Sequence, residues 1–195
     1  MLVAITGTPG TGKSAVARKL RKRGFRVISV NRIAKKKFAK RYDSSRDTME
    51  VDVDSMREYI SNMDLPRGEV RRKNGKIVKR SIVFLEGHIS HYMDVDMIIV
   101  LRASPSVIEK RLRGRGYSEK KIRENMEAEG VDVISIESKE TGKEAFEIDT
   151  SEANVHKVAD YIVKIVTGSK VERRKYMHEY ALGSVNWSKE VLGWY

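Results

Sequence analysis

The 195-residue sequence contains no cysteine. That absence excludes a disulfide framework, a thiolate metal site and cysteine nucleophilic catalysis. Glutamine is missing too, and proline occurs three times; a chain poor in thermolabile side chains and rich in Lys, Arg and Glu has the composition of heat-adapted proteins. Apolar runs are no longer than five residues, as in Met97–Leu101, far below the roughly 18 that suggest a membrane span. Met1 to Ile5 leads straight into a glycine motif with no basic stretch before it, so we expect no signal peptide, no membrane association and a cytoplasmic setting. What remains is 40% hydrophobic and 34% charged, enough for a core under a well-solvated surface. The length suits one domain with room for a small appendage.

Charge is present in excess and unevenly. There are 39 Lys and Arg against 27 Asp and Glu, a net charge of +12. Residues 18–41 hold twelve of the cations and no acid, and residues 67–80 hold seven against the single Glu69. Concentrated charge of one sign suits a polyanionic partner, because each neutralised phosphate releases counterions. A solvated basic helix face is the plainer alternative.

Short apolar runs alternate with helical periodicity. Leu2–Thr6, Phe25–Val30, Ser81–Leu85, Asp96–Leu101 and Ala145–Ile148 read as strands, the pattern of a parallel sheet buried on both faces. Between them, Ala15, Val16 and Leu20 mark a helix that Gly24 stops. Ile33–Tyr42 reads as a second, very basic helix, and Val53–Met63 as a third. Ser104 followed by Pro105 starts a helix through Ile108 and Leu112 to Gly114. Ser118 to about Ile136 reads as one longer helix, with Ile122, Met126 and Glu129 on one side. Val155, Val158, Ala159, Ile162, Ile165 and Val166 define an amphipathic closing helix. Asn74-Gly75 between Val70 and Ile77 predicts a β-hairpin inside the basic segment 67–80. Residues 168–195 carry Tyr176, Tyr180, Trp187, Trp194 and Tyr195, which suits either an appendage docked on the main domain or a stacking surface for RNA or protein.

Gly7-Thr8-Pro9-Gly10-Thr11-Gly12-Lys13-Ser14 matches G-x-x-x-x-G-K-[ST] in full, between a predicted strand and a predicted helix. Glycines there let backbone N–H groups converge on phosphate oxygens. The helix N-terminus adds partial positive charge, Lys13 reaches the β- and γ-phosphates, and Ser14 ligates magnesium. Such a loop needs a carboxylate near the metal, and Glu86 directly follows the strand Ser81–Leu85. His88, two residues on, is placed to orient an attacking water or to sense the γ-phosphate, whereas His91 reads as structural. Arg111 and Arg115 share a helix face, and Arg115, between Gly114 and Gly116, is the better placed to reach developing phosphoryl charge from a lid.

These motifs together resemble the small adenylate kinases of the isoform 6 type. The residues that carry the resemblance are Thr6-Gly7-Thr8-Pro9-Gly10-Thr11-Gly12-Lys13-Ser14, Glu86-Gly87-His88, Val100-Leu101-Arg102 and Arg111 to Ile122 with Asn125, spanning about residues 1–167. The resemblance implies an α/β P-loop NTPase fold of adenylate-kinase type, with a five-stranded parallel sheet between helices. It implies a kinase domain over 1–167 containing a nucleoside-monophosphate segment at 29–52 and a lid at 114–124. By the same resemblance Gly10, Gly12, Lys13, Ser14 and Ala15 bind ATP with Arg115, Ser14 and Glu86 serve Mg2+, and Lys13, His88 and Arg115 are catalytic. Asp149-Thr150-Ser151 falls near the adenine. Within that domain the basic hairpin 67–80 is an insertion relative to the compact members of the family, and the extension 168–195 stands outside the match. The implied activity is transfer of the ATP γ-phosphoryl group to AMP, dAMP or CMP, or to water. The implied setting is small-subunit rRNA maturation with a ribosomal protein and an rRNA precursor as partners. An ATP-hydrolysing assembly switch with little kinase activity is the alternative, and another small-molecule or nucleic-acid kinase on the same fold a weaker one.

Overall fold

The computed structural model describes residues 1–43 and 48–194. In chain order it runs β1 (Leu2–Thr6), α1 (Lys13–Lys22), β2 (Arg26–Ser29), α2 (Val30–Ile33), β3 (Ala39–Asp43), β4 (Thr48–Val51), α3 (Val53–Ser61), β5 (Arg72–Lys73), β6 (Lys76–Ile77), β7 (Val83–Glu86) and β8 (Met97–Arg102). It continues with α4 (Pro105–Arg113), α5 (Glu119–Gly130), α6 (Val133–Glu140), β9 (Ala145–Asp149), α7 (Val155–Thr167), α8 (Lys170–Tyr180) and α9 (Ser188–Leu192).

Five strands form one parallel sheet in the order β2-β7-β1-β8-β9. All five residues of β1 are buried because each face of the sheet is covered. Successive side chains point to opposite faces, so Val3 and Ile5 join Val16 and Leu20 of α1 and Val158 and Ile162 of α7 in one core. Leu2 and Ala4 join Val30, Met56 and Ile60 in the other. Burying one such large apolar side chain contributes about 1.5–3 kcal/mol. The free edge of β9 is covered by an antiparallel bridge from Phe146 to Ala181, which removes a template for intermolecular pairing.

Asn74 (φ 50°) and Gly75 (φ 72°) make the turn that pairs β5 with β6, as the sequence predicts. Three expectations are corrected. The basic helix expected over Ile33–Tyr42 ends in a π-helical turn at Ala34–Phe38, and Ala39–Asp43 instead pairs antiparallel with Thr48–Val51. Lys and Arg are good helix formers, but pairing within the hairpin outweighs that weak preference. Residues 44–47 of the expected monophosphate segment lie outside the described residues. Second, the helix expected from Ser118 to Ile136 breaks into α5 and α6 at Asp132, whose φ of 59° no α-helix accommodates. Third, Glu86 is the last residue of β7 rather than the first beyond it.

The C-terminal residues pack against the sheet domain. Tyr180 meets Tyr161 of α7 at 5.6 Å between ring centroids and Tyr176 at 6.5 Å. No helix among the described residues is long and apolar enough to cross a membrane.

Candidate active site

The order of the strands creates the site. Chain connections leave β1 toward β2 on one side, and the step from β7 to β8 crosses to the other. A crevice therefore opens beyond the carboxyl ends of β1, β7 and β8, where ligands bind in sheets of this kind. Residues 7–14 form the loop from β1 into α1. Gly7 takes φ 132°, and a Cβ there would lie 2.2 Å from the Leu101 carbonyl oxygen. Gly12, at φ 91°, caps α1 in the left-handed region without a side-chain bond to the first turn, leaving N–H groups of that turn directed outward as an anion site. Ala15 lies in that turn, its N–H bonded to the Gly12 carbonyl.

Lys13 is buried, its Nζ donating to the carbonyls of Gly7 (2.6 Å) and Thr8 (3.0 Å). Burial lowers its pKa to about 8, opposed by Glu86 and Glu129 and aided by Arg115. Ser14 Oγ donates to Glu86 Oε1 at 2.9 Å. A hydroxyl and a carboxylate oxygen converging beside a phosphate loop are the hard oxygen donors that Mg2+ takes. Gly87 lets α2 approach closely, since a Cβ there would lie 2.8 Å from Asn31 Oδ1.

His88, an exposed residue, stands at the same crevice, its carbonyl accepting from Thr6 Oγ1 at 3.1 Å. Partial burial and the positive charges of Lys13, His91 and Lys121 hold its pKa below the usual imidazole value, so it is neutral at pH 7 and available as an acceptor. His91 is buried, bonded at Nδ1 to Thr6 Oγ1 (2.9 Å) and at Nε2 to Glu137 (3.1 Å), a structural arrangement. Arg115 is exposed in the turn after α4, close enough for its charge to bear on both Lys13 and Arg111.

Several residues hold the loop through contacts that the sequence does not announce. Arg111 donates to the carbonyls of Gly10 (3.1 Å) and Thr150 (2.7 Å), so it braces the loop from the side. Thr150, expected near the adenine, turns its hydroxyl to the carbonyls of Thr11 and Arg102, both at 2.9 Å. Glu129 accepts from the Thr8 hydroxyl at 2.6 Å and from Arg102 Nε at 2.6 Å. Only the solitary arginine ending the apolar run of β8 hinted at this buried charge.

On the other side of the crevice, Asn31, Arg32, Lys35 and Lys36 line an open concavity. The Asn31 side-chain amide oxygen Oδ1 is buried and has no hydrogen-bond partner among the described residues.

The sequence matches the family model described as "AAA domain" over residues 3–132. An Archaeoglobus fulgidus protein named "Putative adenylate kinase" is 37% identical over 191 residues, covering 98% of this chain and 94% of that one. A Pyrococcus furiosus protein of the same name is 38% identical over 97% of this chain and 92% of its own. Shikimate kinase from Acinetobacter baumannii, solved with shikimate, superposes with a TM-score of 0.54 at 13% identity, over 87% of this chain and 94% of that one; at that identity the likeness concerns the fold alone. The near full-length alignments correct the expectation that similarity stops near residue 167: most of the C-terminal extension lies within the matched length.

Proposed function

The chain belongs to the archaeal "Putative adenylate kinase" family of P-loop NTPases, and on that premise we propose that it is a Mg2+-dependent adenylate kinase that also hydrolyses ATP. Its γ-phosphoryl acceptors are AMP or a related monophosphate such as dAMP or CMP, and water. The observation that carries this reading is the meeting of Lys13, Ser14, Glu86 and His88 in one crevice at the ends of β1 and β7.

Each group has a task in that reading. Backbone N–H groups of residues 10–15 and the N-terminus of α1 bind the phosphates of ATP. Lys13 holds the β- and γ-phosphates, and Arg115 reaches over them from the lid at 114–124. Ser14 and Glu86 would hold Mg2+, which when bound neutralises charge on the β- and γ-phosphates. The concavity of Asn31, Arg32, Lys35 and Lys36 suits the acceptor monophosphate: cations for its phosphate and an amide for its base. His88, neutral and at the crevice mouth, orients an attacking water.

Labelled ATP supplied with each nucleoside monophosphate, or with water alone, tests the proposal by separate measurement of ADP and free phosphate. Rapid ADP formation only with an acceptor, AMP foremost, is expected; phosphate release indifferent to acceptor would replace the kinase with the hydrolytic switch. His88→Ala should lower hydrolysis by about 10²-fold, the lower end for a positioned acid–base group. ATP affinity, read by calorimetry, should change little. A parallel loss of affinity would make His88 a binding residue.

A role in small-subunit rRNA maturation, with an rRNA precursor and a ribosomal protein as partners, is supported by the basic hairpin. Lys73 and Lys76 are exposed there, at the pole of the sheet opposite the crevice. Deleting residues 71–78 should weaken RNA binding and flatten its dependence on salt while ATP turnover persists. Equal affinity across a salt series with and without the hairpin would remove RNA from the reading.

A further inference from the structure

The buried charge behind the phosphate loop does not balance by itself. Arg102 is 1% exposed and pairs with Glu129, Glu147 and Asp132. Glu129 and Glu147 are almost wholly buried. Buried carboxylates in excess of the cations need neutral donors to replace lost water. For Glu129 these are the Thr8 hydroxyl, the Ala103 N–H (3.1 Å) and the Trp187 indole N–H (3.4 Å). For Glu147 they are the Ser135 hydroxyl (2.7 Å) and the N–H groups of Gly183 (2.5 Å) and Val185 (3.5 Å). Half of these neutral donors thus come from residues 183–187.

The residues that follow, 190–194, grip the two helices flanking the lid turn. Glu190 Oε1 accepts from the Ser106 N–H at 2.6 Å, in the first turn of α4, the helix that carries Arg111. Val191 and Trp194 close on Gly130 at the far end of α5, where an added Cβ would lie 2.7 Å and 3.2 Å from them. Residues 181–194 themselves lie at the surface, partly exposed along their length. A surface strap with no fully buried residue of its own opens at lower cost than the core.

We propose that residues 181–194 are a positioning element of the nucleotide site. When docked, the strap satisfies Glu129 and Glu147, Glu129 in turn fixes Thr8 of the phosphate loop, and the bases of α4 and α5 are held at the separation that sets the lid. Nucleotide binding fixes the same loop from its other side. ATP and the docked strap therefore favour one another, and the coupling is reciprocal. This rests on the ATP-site reading above but not on any phosphoryl acceptor.

Hydrogen exchange on the full chain, with and without a non-hydrolysable ATP analogue, measures the coupling directly. The analogue should slow exchange at Gly183 and Val185 by at least about fivefold, the lower end of ordinary coupling between sites. Trp187→Phe, and a chain ending at Tyr180, should bind the analogue more weakly by a similar factor while retaining the wild-type far-ultraviolet circular dichroism. A purely structural strap would lower the melting temperature without making exchange at 183–187 respond to nucleotide. Analogue binding with no change in that exchange overturns the inference and leaves the ATP site standing. Failure of the wild-type chain to bind the analogue overturns both. Should the shortened chain not fold, the exchange measurement on the intact protein still decides.

Discussion

Lys13→Met is expected to lower ATP turnover by about 10²–10³-fold, the loss seen when a preorganised positive donor is removed from developing charge. The substitution isolates that charge. Methionine keeps an unbranched apolar stem to fill the buried space of the lysine, and the bonds lost in the free protein are those from Nζ to the Gly7 and Thr8 carbonyls. Steady-state rates and a melting curve on the same preparation check it: unchanged turnover with an intact melt would remove Lys13 from the active site. The same ammonium gives a pH dependence whose sign follows from its lowered pKa. Burial first, against the pull of Glu86 and Glu129, brings that value to about 8, so in the free protein Nζ loses its charge as pH rises past about 8. Bound polyphosphate favours the charged form. Above that pH nucleotide binding should take up a proton and weaken, which calorimetry in buffers of different ionisation enthalpy reads as a buffer-dependent heat; none would mean that Nζ stays charged throughout.

The parts of this site that were legible in the sequence are the contiguous ones. Gly7 to Ser14 declares its conformation by composition, because only glycine tolerates φ 132° against the Leu101 carbonyl, and Glu86-Gly87-His88 declares itself by ending an apolar run. The parts that were not legible depend on residues far apart in the chain. Thr8 and Glu129 are 121 positions apart, and no periodicity in α5 marks Glu129 as a partner of the loop rather than a polar residue on a helix side. Arg111 was visible as a cation, but its work on the carbonyls of Gly10 and Thr150 depends on how α4 returns across the sheet ends. Misjudged elements share a cause as well. Ala39–Asp43 and the break at Asp132 are decided by strand pairing and by one left-handed residue, and composition registers neither.

Arg102→Met should be the most destabilising of the substitutions considered. Its guanidinium pairs with Glu129, Glu147 and Asp132 together, and burial, which works against its charge, is outweighed by those carboxylates, which hold its pKa above the ordinary value. Removing one partner from such a set leaves uncompensated buried charge and costs about 3–5 kcal/mol, which in a chain of this size lowers the melting temperature by about 6–20 °C. Arg102→Lys should rescue little. The guanidinium reaches Glu129 through Nε, Ser135 and Glu147 through Nη1, and Asp132 and the Glu129 carbonyl through Nη2, a fork that a single ammonium on an unbranched stem cannot span. A third chain separates stability from positioning: Arg102→Met combined with Glu129→Leu and Glu147→Leu replaces the ionic set by apolar side chains, an exchange that is often neutral. Part of the lost melting temperature should return, short of the whole because the N–H groups of Gly183 and Val185 lose their acceptor. Thr8, without Glu129, should then raise the KM for ATP even in the restabilised chain. If stability and KM recovered together, the network would serve the fold alone and the phosphate loop would owe it nothing.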